Sequence, residues 1–117
     1  MGITLRSKAI VSFLFSGSLF CLSFSNTFAD EVDTDVIYAE KCALCHGEDG
    51  KGTPTGINFG VKNFTDQDWL KSRTVDDFTN SITNGNPDNP NYLPFGDILS
   101  EEEIAAMANY VMGRFKQ

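Results

Sequence analysis

An all-α domain with long irregular connections is the fold class this sequence predicts, and three observations carry it. Helix-start residues stand at Asp33, Thr74 and Ser100, each ahead of apolar residues at helical spacing. No segment alternates apolar and polar residues convincingly enough to make a strand. The stretches between the helical patterns are dense in Gly, Pro and Asn. No internal repeat is visible, and a chain of 117 residues is expected to form one domain.

Residues 1–29 read as a secretory leader rather than as part of that domain. Arg6 and Lys8 make a positive start, "AIVSFLFSGSLFCLSF" runs apolar, and Thr27 with Ala29 fits a small-x-small cleavage signature. The apolar run is at the short end for a membrane span, so no transmembrane segment is expected after cleavage before Asp30. Phe20 is bulky where lipidation at Cys21 would want a small residue. The folded unit is then 30–117, in the periplasm or otherwise exported. Cleavage removes two cations and no acids, taking the net charge from −7 to −9. Such a chain is a poor ligand for nucleic acid or anionic membranes. The charge suits docking on basic partners, or serves solubility alone.

The first helix is expected over 33–45, capped by Asp33, with Val36, Ile37, Lys41 and Ala43 compatible with it. "HGEDGKGTPTGINFG" reads as loop. A short helix follows Thr65 in "TDQDWLKS". Thr74 caps another, in which Val75, Phe78 and Ile82 share a face and Gly85 stands where a C′ glycine ends a helix. "NPDNPNYLPFGD", with its three prolines, is irregular. The last helix opens with a Ser100–Glu103 capping box and three glutamates that suit the helix dipole. Its apolar stripe is Ile104, Met107, Ala108, Val111 and Phe115.

A domain this short has a small core and gains from a staple. Outside the cytosol a disulfide is the usual one. With Cys21 gone, however, only Cys42 and Cys45 remain, and a bridge between them would close a tiny loop. These two sit in "EKCALCHGEDGKG" directly before His46, the one histidine of the chain. A structural zinc site needs four protein ligands, and no second Cys/His cluster completes one. A thioredoxin-type dithiol needs a βαβ setting that is not visible here. Covalent attachment of a c-type haem fits: the thiols of Cys42 and Cys45 add to the vinyl groups, and His46 becomes the proximal iron ligand. The haem is also a large apolar body that would supply the missing core.

With these pieces assembled, the sequence resembles the class I-type monohaem cytochromes c of the small bacterial branch. The resemblance runs from Tyr38 to about Phe115, through "CALCHGEDGKG", "NFTDQDW", "ITNG" and "LPFGDILSEEEIAAMANYV". It implies a cytochrome c fold of three to five helices wrapped around one covalently bound haem. It also implies that the helix ending at Cys42 crosses the C-terminal helix, with Tyr38 near Tyr110 and Met107. Thr34 stands where the family often has Gly at that crossing. By the same resemblance the carbonyl of Pro54 accepts a hydrogen bond from His46 Nδ1; the alternative is an ordinary turn proline. Among the aromatic residues, Trp69 is the leading candidate to hydrogen-bond a haem propionate, with core packing as the competing role.

The informative departure is Leu93. The family usually carries methionine as sixth ligand just before a proline, and here "NYLPFGD" offers leucine, which has no lone pair for iron. Met107 and Met112 lie on the last helix, where packing is the commoner role. Asn86, Asn89, Asn91, Tyr92 and Lys62 are the remaining donors. The expectation is an iron with five ligands, or with water or a weak ligand, beneath an apolar lid. A one-electron carrier or electron-transfer subunit with redox protein partners is the leading role. The alternative is a haem protein that binds CO or NO. A peroxidase-like enzyme is disfavoured, because no distal acid–base group stands near Leu93.

Overall fold

The computed structural model describes Gly17 and residues 30–117. The expected leader, including Cys21, otherwise lies outside the described residues. Among those residues the regular structure is helical: α1 (Thr34–Ile37), a π-helical turn (Tyr38–Cys42), α2 (Ala43–His46), α3 (Pro54–Asn58), α4 (Gln67–Lys71), α5 (Val75–Asn84) and α6 (Glu101–Phe115). The only pairing of extended backbone among them is an isolated bridge, Asn86 to Asn89.

The helix starts follow from side-chain chemistry. Asp33 accepts from the Val36 amide, satisfying one of the donors a helix leaves free at its start. Thr74 and Asp77 close a reciprocal capping box on α5, and Ser100 and Glu103 close another on α6. The α4 cap falls on Asp66, whose carboxylate accepts from the Trp69 amide. Gly85 ends α5 at φ 75°, a conformation that disfavours a side chain. Ser100→Ala removes an exposed cap without touching the core. It should lower stability by about 1 kcal/mol, read as a lower denaturant midpoint at unchanged slope.

The first three segments abut, so residues 34–46 run as one rod with a wide turn before the cysteines. In that turn the Ala43 amide reaches back to the Tyr38 carbonyl, a five-residue step. The rod crosses α6. Tyr38 packs on Tyr110 and Phe115, with ring centroids 5.6 and 5.9 Å apart. Tyr38 and Met107 belong to the same buried cluster, and Thr34 is half-buried at the crossing end. Arg114 fastens the crossing, donating to Asp35 Oδ1 (3.2 Å), to the Glu48 carbonyl (3.1 Å) and to the Tyr110 hydroxyl. α5 packs alongside α6, joining Phe78 and Ile82 to the α6 stripe of Ile104, Met107, Ala108, Val111 and Phe115.

One segment differs from expectation. The loop predicted after His46 contains α3. Thr53 caps it by accepting from the Gly56 amide, and Pro54 occupies the first turn, where its missing N–H costs nothing. Gly56 is there for another reason. A Cβ at that position would lie 1.8 Å from the Cys45 carbonyl oxygen, so α3 rests directly on the backbone of α2.

Candidate haem-attachment site

The end of α2 is held by the chain that returns from it. Its last carbonyls lack partners within the helix. Gly52 N donates to the His46 carbonyl (2.7 Å), Thr53 N to that of Cys45 (2.9 Å) and Thr53 Oγ1 to that of Leu44 (2.7 Å). The reversal needs left-handed backbone, which Gly47, Gly50 and Gly52 supply at φ 75°, 74° and 93°. On the other side, the buried Tyr38 hydroxyl donates to the Gly47 carbonyl at 2.8 Å. The α1–α6 crossing is thereby tied to the residue next to His46.

His46 is buried, and its ring stacks on Phe64 with centroids 4.3 Å apart and planes within 13°. Burial pushes the imidazole pKa down to about 4, with the Lys62 backbone acting weakly the other way. At neutral pH the ring is therefore uncharged, the form that donates to a metal. Its Nδ1 is buried without a hydrogen-bond partner. The bond expected from Nδ1 to the Pro54 carbonyl is not formed. Pro54 is exposed, in the first turn of α3.

Cys42 and Cys45 are free thiols, half-buried on the wall of a cavity of about 240 Å³. Burial raises the Cys42 thiol to about 11. His46, Phe78, Ile82, Leu99, Met107 and Val111 share this lining, so the slot reaches into the core itself. A second cavity of about 180 Å³ shares His46, Val61, Phe64, Phe78, Asn89 and Tyr92 with the first, and continues to a polar end with Lys62, Trp69, Arg73, Asp77 and Ser81. There the Arg73 guanidinium lies over the Trp69 ring, 5.4 Å from its centroid. Two ion pairs occur among the described residues, Lys41–Glu40 and Arg114–Asp35, so neither Arg73 nor Lys62 has a carboxylate within pairing distance. No group of three or more Cys, His, Asp or Glu among these residues is arranged to hold a metal ion.

Leu93 lines the larger cavity with Cys42, Cys45 and His46 and is 66 % exposed. Tyr92 lines both cavities and stands edge-on to His46, centroids 6.4 Å apart. Burial, with the Cys42 thiol nearby, raises the Tyr92 hydroxyl to about 12, so it remains a phenol. Asn89 and Asn91 also line the larger cavity, which is therefore not purely apolar on this side. The Phe64 stack and the Arg73–Trp69 pair were not foreseen from the sequence, because each joins residues whose partnership no local pattern reveals.

Two half-buried thiols, a neutral imidazole with an unpartnered nitrogen and an apolar slot with a polar end are compatible with a c-type haem. The family model for cytochrome c oxidase, cbb3-type, subunit III matches residues 30–111. The chain belongs to this family. Its curated relatives include a cbb3-type cytochrome c oxidase subunit CcoP of Rhodobacter capsulatus, 38% identical over 100 residues. That match covers 79% of this chain and 33% of the relative. Another is the FixP subunit of Azorhizobium caulinodans, 37% identical over 82 residues, covering 65% of this chain and 26% of that subunit. The chain thus spans about a third or less of these subunits. Among solved structures it resembles the KustC0563 c-type cytochrome, with a TM-score of 0.67 and 31% identity, over 74% of this chain and all of that one. The subunit III family and the c-type cytochrome fold agree with the helical architecture, and both imply covalently bound haem. No described helix is long and apolar enough to cross a membrane.

Proposed function

We propose that residues 30–117 form an exported monohaem cytochrome c domain that relays single electrons, with one haem held by Cys42, Cys45 and His46. One observation carries the reading: both thiols and the neutral imidazole line one apolar slot inside the core. When bound, the haem supplies the one-electron chemistry. The chain's part is to hold and shield it. The carbonyl network from Gly52 and Thr53 fixes the backbone of the attachment segment. His46 is held ready as a neutral ligand. Arg73, Lys62 and Trp69, on a lining that also carries Asp77, would offer cations and an indole N–H to the propionates. Leu44, Phe59 and Leu93 are exposed apolar residues at the mouth of the larger cavity, where a partner could approach. The relatives are oxidase subunits, which supports an oxidase subunit as that partner, met through the acidic surface of the exported chain. The leader-like residues 1–29, cut before Asp30, support a periplasmic setting.

The test is expression with the natural leader, followed by mass spectrometry and a spectroelectrochemical titration. The expected results are a chain beginning at Asp30 with one haem added, and a single one-electron wave. A chain exported without haem would sink the reading. Arg73→Gln should lower the midpoint potential, because removing a cation beside the haem favours the more positive ferric state. Arg73→Lys should restore most of the difference.

A further inference from the structure

Phe64, the ring stacked on His46, stands in a turn between α3 and α4. On one side the turn is fixed by its own backbone, the Phe64 amide donating to the Gly50 carbonyl at 2.8 Å. On the other side it is fixed by Gln67, the first residue of α4. Gln67 Nε2 donates to the Phe115 carbonyl at 2.8 Å and to the Thr65 carbonyl at 3.2 Å. Gln67 Oε1 accepts from the Gln117 amide at 2.8 Å. The Phe115 carbonyl is one that α6 leaves without an intrahelical partner in its last turn, so a half-buried side chain 48 positions away caps that end. Both ends of the Gln67 amide face partners of the right kind, which fixes its orientation. Phe115 itself packs on Phe64, ring centroids 5.5 Å apart. Gln67 lines neither cavity.

We propose that Gln67 is a positioning residue for His46: by clamping the turn that carries Phe64 to the end of α6, its amide sets the plane in which the imidazole meets the iron. The inference rests on the haem reading above. A ligating histidine is usually held in plane by a hydrogen bond at its other nitrogen. His46 Nδ1 has no such partner, so packing takes over that task, and Phe64 is the face it packs on. The clamp acts at a distance, through a ring, and touches no atom of the cofactor.

The test uses the ferric holoprotein with Gln67→Ala, Phe64→Leu and the two together. Haem content by pyridine haemochrome, measured first on the same samples, reports separately on the attachment reading. The readout is the set of paramagnetically shifted haem-methyl proton resonances, which follow the plane of the axial imidazole. They should move in Gln67→Ala and in Phe64→Leu. The double variant should match Phe64→Leu alone, because the clamp works only through that ring. Gln67→Glu keeps the acceptor for the Gln117 amide but sets a carboxylate against the Phe115 and Thr65 carbonyls, and it carries the same comparison if Gln67→Ala does not fold. Ser100→Ala loosens α6 at its other end and is the control: its stability falls while its haem-methyl resonances stay at their natural positions. Resonances unmoved in the Gln67 variants, resonances moved equally by Ser100→Ala, or additive shifts in the double variant would each overturn the proposal. A natural chain without haem would overturn the attachment reading and this inference with it.

Discussion

A chain carrying Cys42→Ala and Cys45→Ala together is expected to contain no covalent haem, with the haem signal of a denaturing gel lost completely. Each thiol is half-buried on the slot wall, and no other cysteine is present between residues 30 and 117 to replace them. Either single variant keeps one thioether and retains a reduced signal, with a shifted haemochrome band that reports the unreacted vinyl group. An unchanged gel signal in the double variant would remove the attachment reading. The haem-free variant exposes a second property of the site. His46 in the fold resists protonation down to about pH 4, whereas in the unfolded chain it titrates near its ordinary value of 6.5. Between those values the unfolded state binds the proton and the folded state does not. Stability should therefore fall as pH drops from about 6.5 toward 4 and be fully present above that window. Denaturant midpoints across that range check the sign, and replacing His46 as well should flatten the slope.

Gly56→Ala is expected to be the most damaging single-methyl change in the molecule. The added Cβ would sit 1.8 Å from the Cys45 carbonyl oxygen and 2.6 Å from its carbon. These are backbone atoms, so no rotamer change relieves the contact, and α3 must lift away from α2. Lifting it also strains the bonds from Thr53 to the Leu44 and Cys45 carbonyls, which hold the attachment segment. The cost should be at least about 3 kcal/mol, at the upper end for overpacking, read as a large drop in denaturant midpoint. Gly113→Ala is the control. No heavy atom lies within 4 Å of a Cβ built there, and it is an exposed helical position. Alanine there should stabilise by a few tenths to about 1 kcal/mol through helix propensity. Equal effects at the two positions would contradict the contact argument.

The parts of this fold that were legible in the sequence are those set within a few residues. Asp33, Thr74, Ser100 and Gly85 announce helix ends because a cap is a local hydrogen bond or a local φ. The α6 stripe is legible because burial repeats with the helical period. The proposed attachment residues stand out in the sequence because the chemistry demands a fixed spacing. α3 was hidden, since its glycine content weighs against helix and the contact that requires Gly56 comes from another element. A Thr-Pro pair ahead of it was the one available signal. The placement of residues 86–95 was hidden for a similar reason, since Asn89 bonds the Phe59 carbonyl thirty positions away. The bond expected from His46 Nδ1 to the Pro54 carbonyl is not formed, because Pro54 stands exposed on α3.

The two ways this chain closes differ greatly in span. The segment that holds the thiols and His46 is tied to itself by bonds that reach eight or nine residues, from Thr53 to Cys45 and Leu44 and from Tyr38 to Gly47. The crossing that covers it joins Arg114 to Asp35 across 79 positions. Short loops close early and cheaply, long ones late. A chain delivered across a membrane amino end first therefore presents Cys42 and Cys45 in an ordered turn while Tyr110 and Arg114 are still to arrive. In an exported chain the thiols would be accessible for chemistry during that interval, with α6 emerging last to close over the site.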